Sequence, residues 1–110
     1  MITNNELEKY LDDNKFICVD EHPSGLGLKT FTKGNTLIIL WNNPENNSVM
    51  ANIRMAINNN IYIGVIKTGV IPSYTFDLSV VGISLFGDKV LELSKEYDKI
   101  MDRNNEKSNS

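Results

Sequence analysis

The chain is short of several things, and each shortage removes a class of function. It has one cysteine, Cys18, in 110 residues, so no intramolecular disulfide can form and a reducing compartment, the cytoplasm, is expected. Phe16, Ile17 and Val19 around it read as a half-buried strand, which places Cys18 in the core and not in the electropositive setting of a reactive thiol. It has one histidine, His22, so a two-histidine metal site and a histidine acid–base pair are both excluded. Its neighbours Glu21, Pro23, Ser24 and Gly25 make a polar, solvated loop. The longest apolar run, residues 37–41, is far below the roughly 20 residues of a membrane span. No basic flank followed by an apolar stretch opens the chain, so neither a secretory leader nor membrane insertion is expected. Asn46-Asn47-Ser48, formally a glycosylation acceptor, then reads as a turn.

No charge of one sign dominates either. Eleven basic residues against fourteen acidic leave a net −3, too little to attract phosphate over a broad surface or to imitate it. What is present is ordinary for a folded domain: 41% hydrophobic and 23% charged residues support one core, expected over residues 1–103 as a single domain. Residues 104–110 are polar, lack periodicity and read as a disordered tail. Fifteen asparagines, twelve isoleucines, and nine lysines against two arginines are the residues AT-rich codons supply. The expected source is a low-GC bacterium, or a phage or plasmid of one.

The pattern predicts an α+β fold: an N-terminal helix, a mainly antiparallel β-meander of five to six strands and a C-terminal helix. Thr3 and Glu6 form a capping box flanked by Ile2 and Leu7, which starts a helix over residues 3–12 with Leu7, Tyr10 and Leu11 inward. Strands are predicted at residues 16–19, 26–32, 36–41, 61–66 and 74–81, each rich in β-branched or aromatic residues and bounded by Gly, Asn or Pro. Lys33-Gly34-Asn35 closes a hairpin, because Gly and Asn tolerate positive φ. Residues 43–60 fit two periods. Alternation puts Val49, Ala51, Ile53, Met55 and Ile57 on one strand face; a helix would use Asn43 as cap and Pro44 as its first residue. The strand is preferred, since the asparagines and isoleucines are indifferent helix formers. Val90, Leu93, Tyr97 and Ile100 set a helix over residues 88–101, begun by Ser84 or Gly87.

Searches for chemistry return little. Gly82-Ile83-Ser84-Leu85-Phe86-Gly87 has the wrong glycine spacing for a nucleophile elbow, and Gly25-Leu26-Gly27 and Gly64 are not followed by the Lys-Ser/Thr of a phosphate loop. Asp12-Asp13 and Asp20-Glu21 lack the alternation and central glycine of a calcium loop and read as a solvated acidic edge. Asp77 alternates with Thr75 and Ser79 on a polar strand face. No catalytic residue, metal ligand or cofactor is assigned, and the chain is read as a non-enzyme.

Two surfaces stand above background. The connection over residues 67–74 carries Val70 and Ile71 beside Pro72, with Tyr74 as neighbour, and is either packed on the first helix or a contact loop. On the strand over residues 36–41, Leu37, Ile39 and Trp41 are assigned to the core and Ile38 and Leu40 to the opposite face, so the strand is either central and covered on two sides or part of a sheet whose outer face meets a partner. The reading is therefore a non-catalytic protein-binding module, an inhibitor or accessory factor of a mobile element, with Val70, Ile71, Tyr74, Ile38 and Leu40 as contact candidates and a homodimer as one form of partner. The alternative is an accessory nucleic-acid-binding protein acting as a dimer through its sheet, with Lys29, Lys33, Arg54 and Lys67 as contacts and Phe31 or Tyr62 for stacking.

Overall fold

A computed structural model of the chain describes residues 2–21, 28–56 and 71–108. Two helices and five strands follow in the order α1 (Asn4–Asp13), β1 (Ile17–Glu21), β2 (Lys29–Lys33), β3 (Thr36–Asn42), β4 (Val49–Met55), β5 (Tyr74–Asp77) and α2 (Ile83–Ser108). All pairings are antiparallel and the spatial order is the chain order, β1-β2-β3-β4-β5. The α+β fold expected from the pattern is the fold observed. The strand expected at residues 61–66 lies outside the described residues, as do His22, residues 25–27, Ile57, Tyr62, Gly64, Lys67 and Val70.

The capping box forms as the spacing requires. Thr3 Oγ1 accepts from the Glu6 N–H at 3.1 Å, and Glu6 Oε1 accepts from the Thr3 N–H at 3.2 Å, satisfying two donors that a helix start leaves open. Ile2 is buried beside this turn and its N–H donates to the Leu78 carbonyl at 2.9 Å, tying the start of the chain to the end of β5. At the other end of α1, Lys15 takes φ 65°, while its N–H reaches the Asp12 carbonyl and the Phe16 N–H reaches the Leu11 carbonyl. This is a Schellman stop with lysine where glycine is easiest.

The segment that fitted two periods is a strand. Asn43 Oδ1 accepts from the Glu45 N–H and Asn46 Oδ1 from the Ser48 N–H, so the asparagines spend themselves on turns instead of capping a helix. Asn47 takes φ 58° in the same loop. The hairpin between β2 and β3 turns at Gly34, φ 57°, and pairs Lys33 with Thr36. That register carries Phe31, Ile38 and Ile53 to one level.

Alternation along β3 runs opposite to the sequence assignment. Thr36, Ile38 and Leu40 are buried under the helices, while Leu37, Ile39 and Trp41 are half-buried on the far face. The assignment takes Trp41 as a core residue, whereas it is half-buried on the far face. Thr36 sits in the core because its hydroxyl meets the Ser94 hydroxyl of α2 at 2.7 Å, which satisfies a polar group that would otherwise oppose burial. With Ala51, Ile53 and Met55 of β4 and Phe76 of β5, Ile38 and Leu40 receive Leu7 and Leu11 of α1 and Phe86, Val90, Leu93, Tyr97 and Ile100 of α2.

Three boundaries also differ. β5 ends at Asp77 and not at residue 81, because Asp77 Oδ1 accepts from both the Ser79 N–H (2.9 Å) and hydroxyl (2.6 Å) and turns the chain, so Asp77 is a turn-former and not simply a polar strand residue. α2 begins at Ile83, one residue before Ser84, the earlier of the two expected starts; Phe86 extends its buried stripe, and Gly87 is not the start but an interior residue on which an added Cβ would lie 3.2 Å from Tyr10 Cε2. The glycine lets the two helices approach. At its far end α2 runs through Ser108, so residues 104–108 of the expected tail are helical, as a helix already nucleated extends at small cost per residue. Cys18 is exposed and not in the core: β1 is an outer strand, with a bulge between Cys18 and Asp20, and Ile17 and Val19 are exposed too.

Candidate functional site

The structure sorts the contact candidates sharply. Ile38 and Leu40 are core residues and present no surface. Ile71 is partly buried and packed against the core; the neighbouring Pro72 carbonyl accepts from the Tyr97 hydroxyl at 2.6 Å, so the residues before β5 are fastened to α2. Tyr74 remains exposed, at 46%. Its ring lies 4.6 Å from that of Phe76, and Lys89 of α2 stands 4.9 Å from its centroid while pairing with Glu92 at 2.9 Å. An aromatic so braced at an outer strand keeps one orientation.

Of the four basic candidates Lys67 lies outside the described residues, and Lys29, Lys33 and Arg54 do not converge. Arg54 lies on the sheet face away from the helices, its Nε donating to Asn52 Oδ1, while Asn52 Nδ2 donates to Thr75 Oγ1 at 2.9 Å. Lys29 and Lys33 stand at opposite ends of β2 and border clefts on the two sides of α1. Phe31 is half-buried against the core.

The cleft beside Lys33 holds about 380 Å³ and opens between the end of α1, the β2–β3 turn and the middle of α2. Phe16, Val90 and Leu91 give it an apolar lining, Leu91 being 57% exposed. Tyr10, Asn35 and the Thr36–Ser94 hydroxyl pair supply polar groups, and Lys33 and Lys95 the positive charge. Lys33 stands 5.9 Å from the Phe16 ring centroid. Among the described residues no carboxylate lies within ion-pair distance of either lysine. Asp98, three residues beyond Lys95, is instead held by Asn35 Nδ2 at 2.9 Å. The α1 carbonyls at this end are taken up by Asn14, Lys15 and Phe16, which blunts the negative end of the helix.

Sequence reasoning passed over most of these residues. Leu91 was the available signal: it is a leucine outside the stripe of Val90, Leu93, Tyr97 and Ile100, an apolar residue with no core position to fill. In the sequence Lys33 reads as a nucleic-acid contact and Lys95 only as a surface charge; that neither has an ion partner among the described residues depends on where Asn35 draws Asp98.

Titration reflects packing. Burial, and secondarily the charge of Asp88, hold the Tyr10 phenol above its ordinary value. Burial pushes Tyr97 up to about 12, the Arg54 charge opposing it in part. Hydrogen bonds from the Ser79 hydroxyl and N–H keep Asp77 below the usual carboxylate range. Among the described residues no three His, Cys, Asp or Glu side chains gather as for a metal ion, and no helix is long and apolar enough to cross a membrane. No family model matches the chain, and neither does any curated protein or solved structure.

Proposed function

We propose that the chain is a small non-catalytic protein-binding module, an inhibitor or accessory factor carried by a phage or plasmid of a low-GC bacterium and working in the cytoplasm. The observation that carries the reading is the corner between β5 and α2, where Tyr74 is held in the open by Phe76 and Lys89. Leu85, 57% exposed, lies one helical turn before Lys89, and Val80, 76% exposed, lies in the connection that leads into α2. A rigid tyrosine loses little conformational freedom on contact, and apolar neighbours supply area to bury around it, the composition of a small interface centre. The abundance of asparagine, isoleucine and lysine supports the source.

The reading is tested by placing the photo-crosslinking residue p-benzoylphenylalanine at Tyr74 and, as control, at Lys9 on the exposed side of α1. A discrete protein adduct from position 74 alone, weakened by Leu85→Ser, is the expected outcome. Irradiation that yields no adduct at 74, or the same adducts at both positions, removes this corner as the binding surface.

A further inference from the structure

The cleft between α1, the β2–β3 turn and α2 has a composition that the Tyr74 corner lacks, and it narrows the ligand. Two ammonium groups without ion partners among the described residues border an apolar lining, in a chain whose net charge is −3. An exposed leucine, Leu91, forms part of that lining. The volume, about 380 Å³, is of the size that takes one or two side chains and not an extended polymer.

The sign of the charge selects an anion, and the surroundings select which anion. Phosphate is recognised best by arginine forks or by helix N-termini and glycine nests. Here both cations are lysines, the helix end at the cleft is a C-terminus, and the Asp98 carboxylate is among the lining residues. A polyanion would meet that carboxylate and the acidic remainder of the surface. A single carboxylate next to a hydrocarbon group meets a lysine on one side and Phe16, Val90 and Leu91 on the other.

We propose that this cleft receives a short segment of a protein partner in which an acidic side chain adjoins an apolar one. The proposal rests on the protein-binding reading and gives it a second, chemically distinct point of contact. Lys33 and Lys95 hold the carboxylate, Phe16 and Leu91 hold the apolar side chain, and Asn35 and Ser94 offer hydrogen bonds to the backbone of the incoming segment.

The test follows amide resonances of the whole ¹⁵N-labelled chain during addition of acetyl-Leu-Asp-Leu-Glu-amide, with acetyl-Leu-Asn-Leu-Gln-amide as the neutral counterpart. Saturable shifts are expected at Gly34, Asn35, Gly87 and Ser94 with the acidic peptide. Affinity should fall about fivefold for the neutral peptide and in the Lys33→Gln/Lys95→Gln variant, the loss of one or two exposed ion pairs. Leu91→Ser should weaken both peptides alike. Absence of shifts at these amides, equal binding of the two peptides, or binding undiminished in the double lysine variant overturns the proposal. Stronger shifts with inorganic phosphate or a short single-stranded oligonucleotide overturn it in favour of a phosphate site. Photo-crosslinking at Tyr74 reads the other surface, so a peptide that fails here while that adduct forms removes the cleft ligand and leaves the module reading in place.

Discussion

Lys89 and Lys95 stand less than two turns apart on α2 and live in different environments. Lys89 is tied to Glu92 and lies over Tyr74, on the flank that leans against β5. Lys95 borders the cleft on the other flank and has no ion partner among the described residues. One helix thus presents a flank whose charge is spent on holding an aromatic in place and a flank whose charge is left for a ligand. The difference teaches that net charge is a poor guide to what a small acidic protein can bind: partner geometry decides which charges remain available. Four rings link the two flanks, Tyr74 to Phe76 at 4.6 Å, Phe76 to Phe86 at 5.7 Å, and Phe86 to Tyr10 at 5.6 Å.

The contrast is broken most completely at Phe86, which belongs to both flanks. Phe86→Ala should cost about 3–5 kcal/mol through lost burial and the cavity left behind, seen as a large drop in the urea midpoint with Tyr10 and Tyr74 both loosened. Tyr97→Phe should act on the β5 flank alone. Losing the bond to the Pro72 carbonyl, it should cost about 1–2 kcal/mol, with Tyr74 resonances broadened and those of Gly34 and Ser94 unmoved.

The same tyrosine sets an alkaline limit. An unfolded chain releases the phenol proton near its ordinary value, about 10, whereas the folded chain retains it to about 12. The stabilisation is full below the first value and is lost as pH rises toward the second. Urea midpoints should therefore fall more steeply across that window in the intact protein than in the Tyr97→Phe variant, in which Tyr10, also raised by burial, still contributes to the slope. A variant as steep as the intact protein would count against this role for Tyr97.

On the cleft flank, Thr36→Val removes the buried hydroxyl pair with Ser94 and should cost about 1 kcal/mol by thermal denaturation, with shifts confined to the cleft amides. The smallest difference is the most direct. Lys89→Gln should lower stability by up to about 0.5 kcal/mol, as befits an exposed pair and one cation–π contact, and Lys95→Gln should leave it unchanged. Equal losses at the two lysines would erase the distinction between the flanks.

How far this was legible in the sequence follows from where the information resides. The capping box, the Gly34 turn and the strand over Val49–Met55 depend on residues close in sequence, and all three read correctly. The phase of β3 did not, because it is fixed by a hydroxyl on Ser94, 58 residues away. The start of α2 was legible at Ser84, one residue from Ile83, whereas the role of Gly87 was not, since its cost in helix propensity hides its use as the point where Tyr10 approaches. Of the contact candidates, Tyr74 kept an exposed position, while Ile38 and Leu40 went to the core with the corrected phase. The cleft was beyond local reading altogether, since its lining comes from α1, the hairpin and α2.

The strand order has a consequence for synthesis. With neighbours in space following neighbours in the chain, each pairing among the described strands closes as soon as its second strand appears, and the meander is complete while α2 is still to be made. The first helix leaves the ribosome before the strands, yet Gly87, against which it closes, and Leu78, whose carbonyl takes the Ile2 N–H, are translated after most of them. Until then the apolar face bearing Ile38, Leu40 and Ile53 lacks its α2 cover, and the nascent chain at that stage is the form most in need of a chaperone.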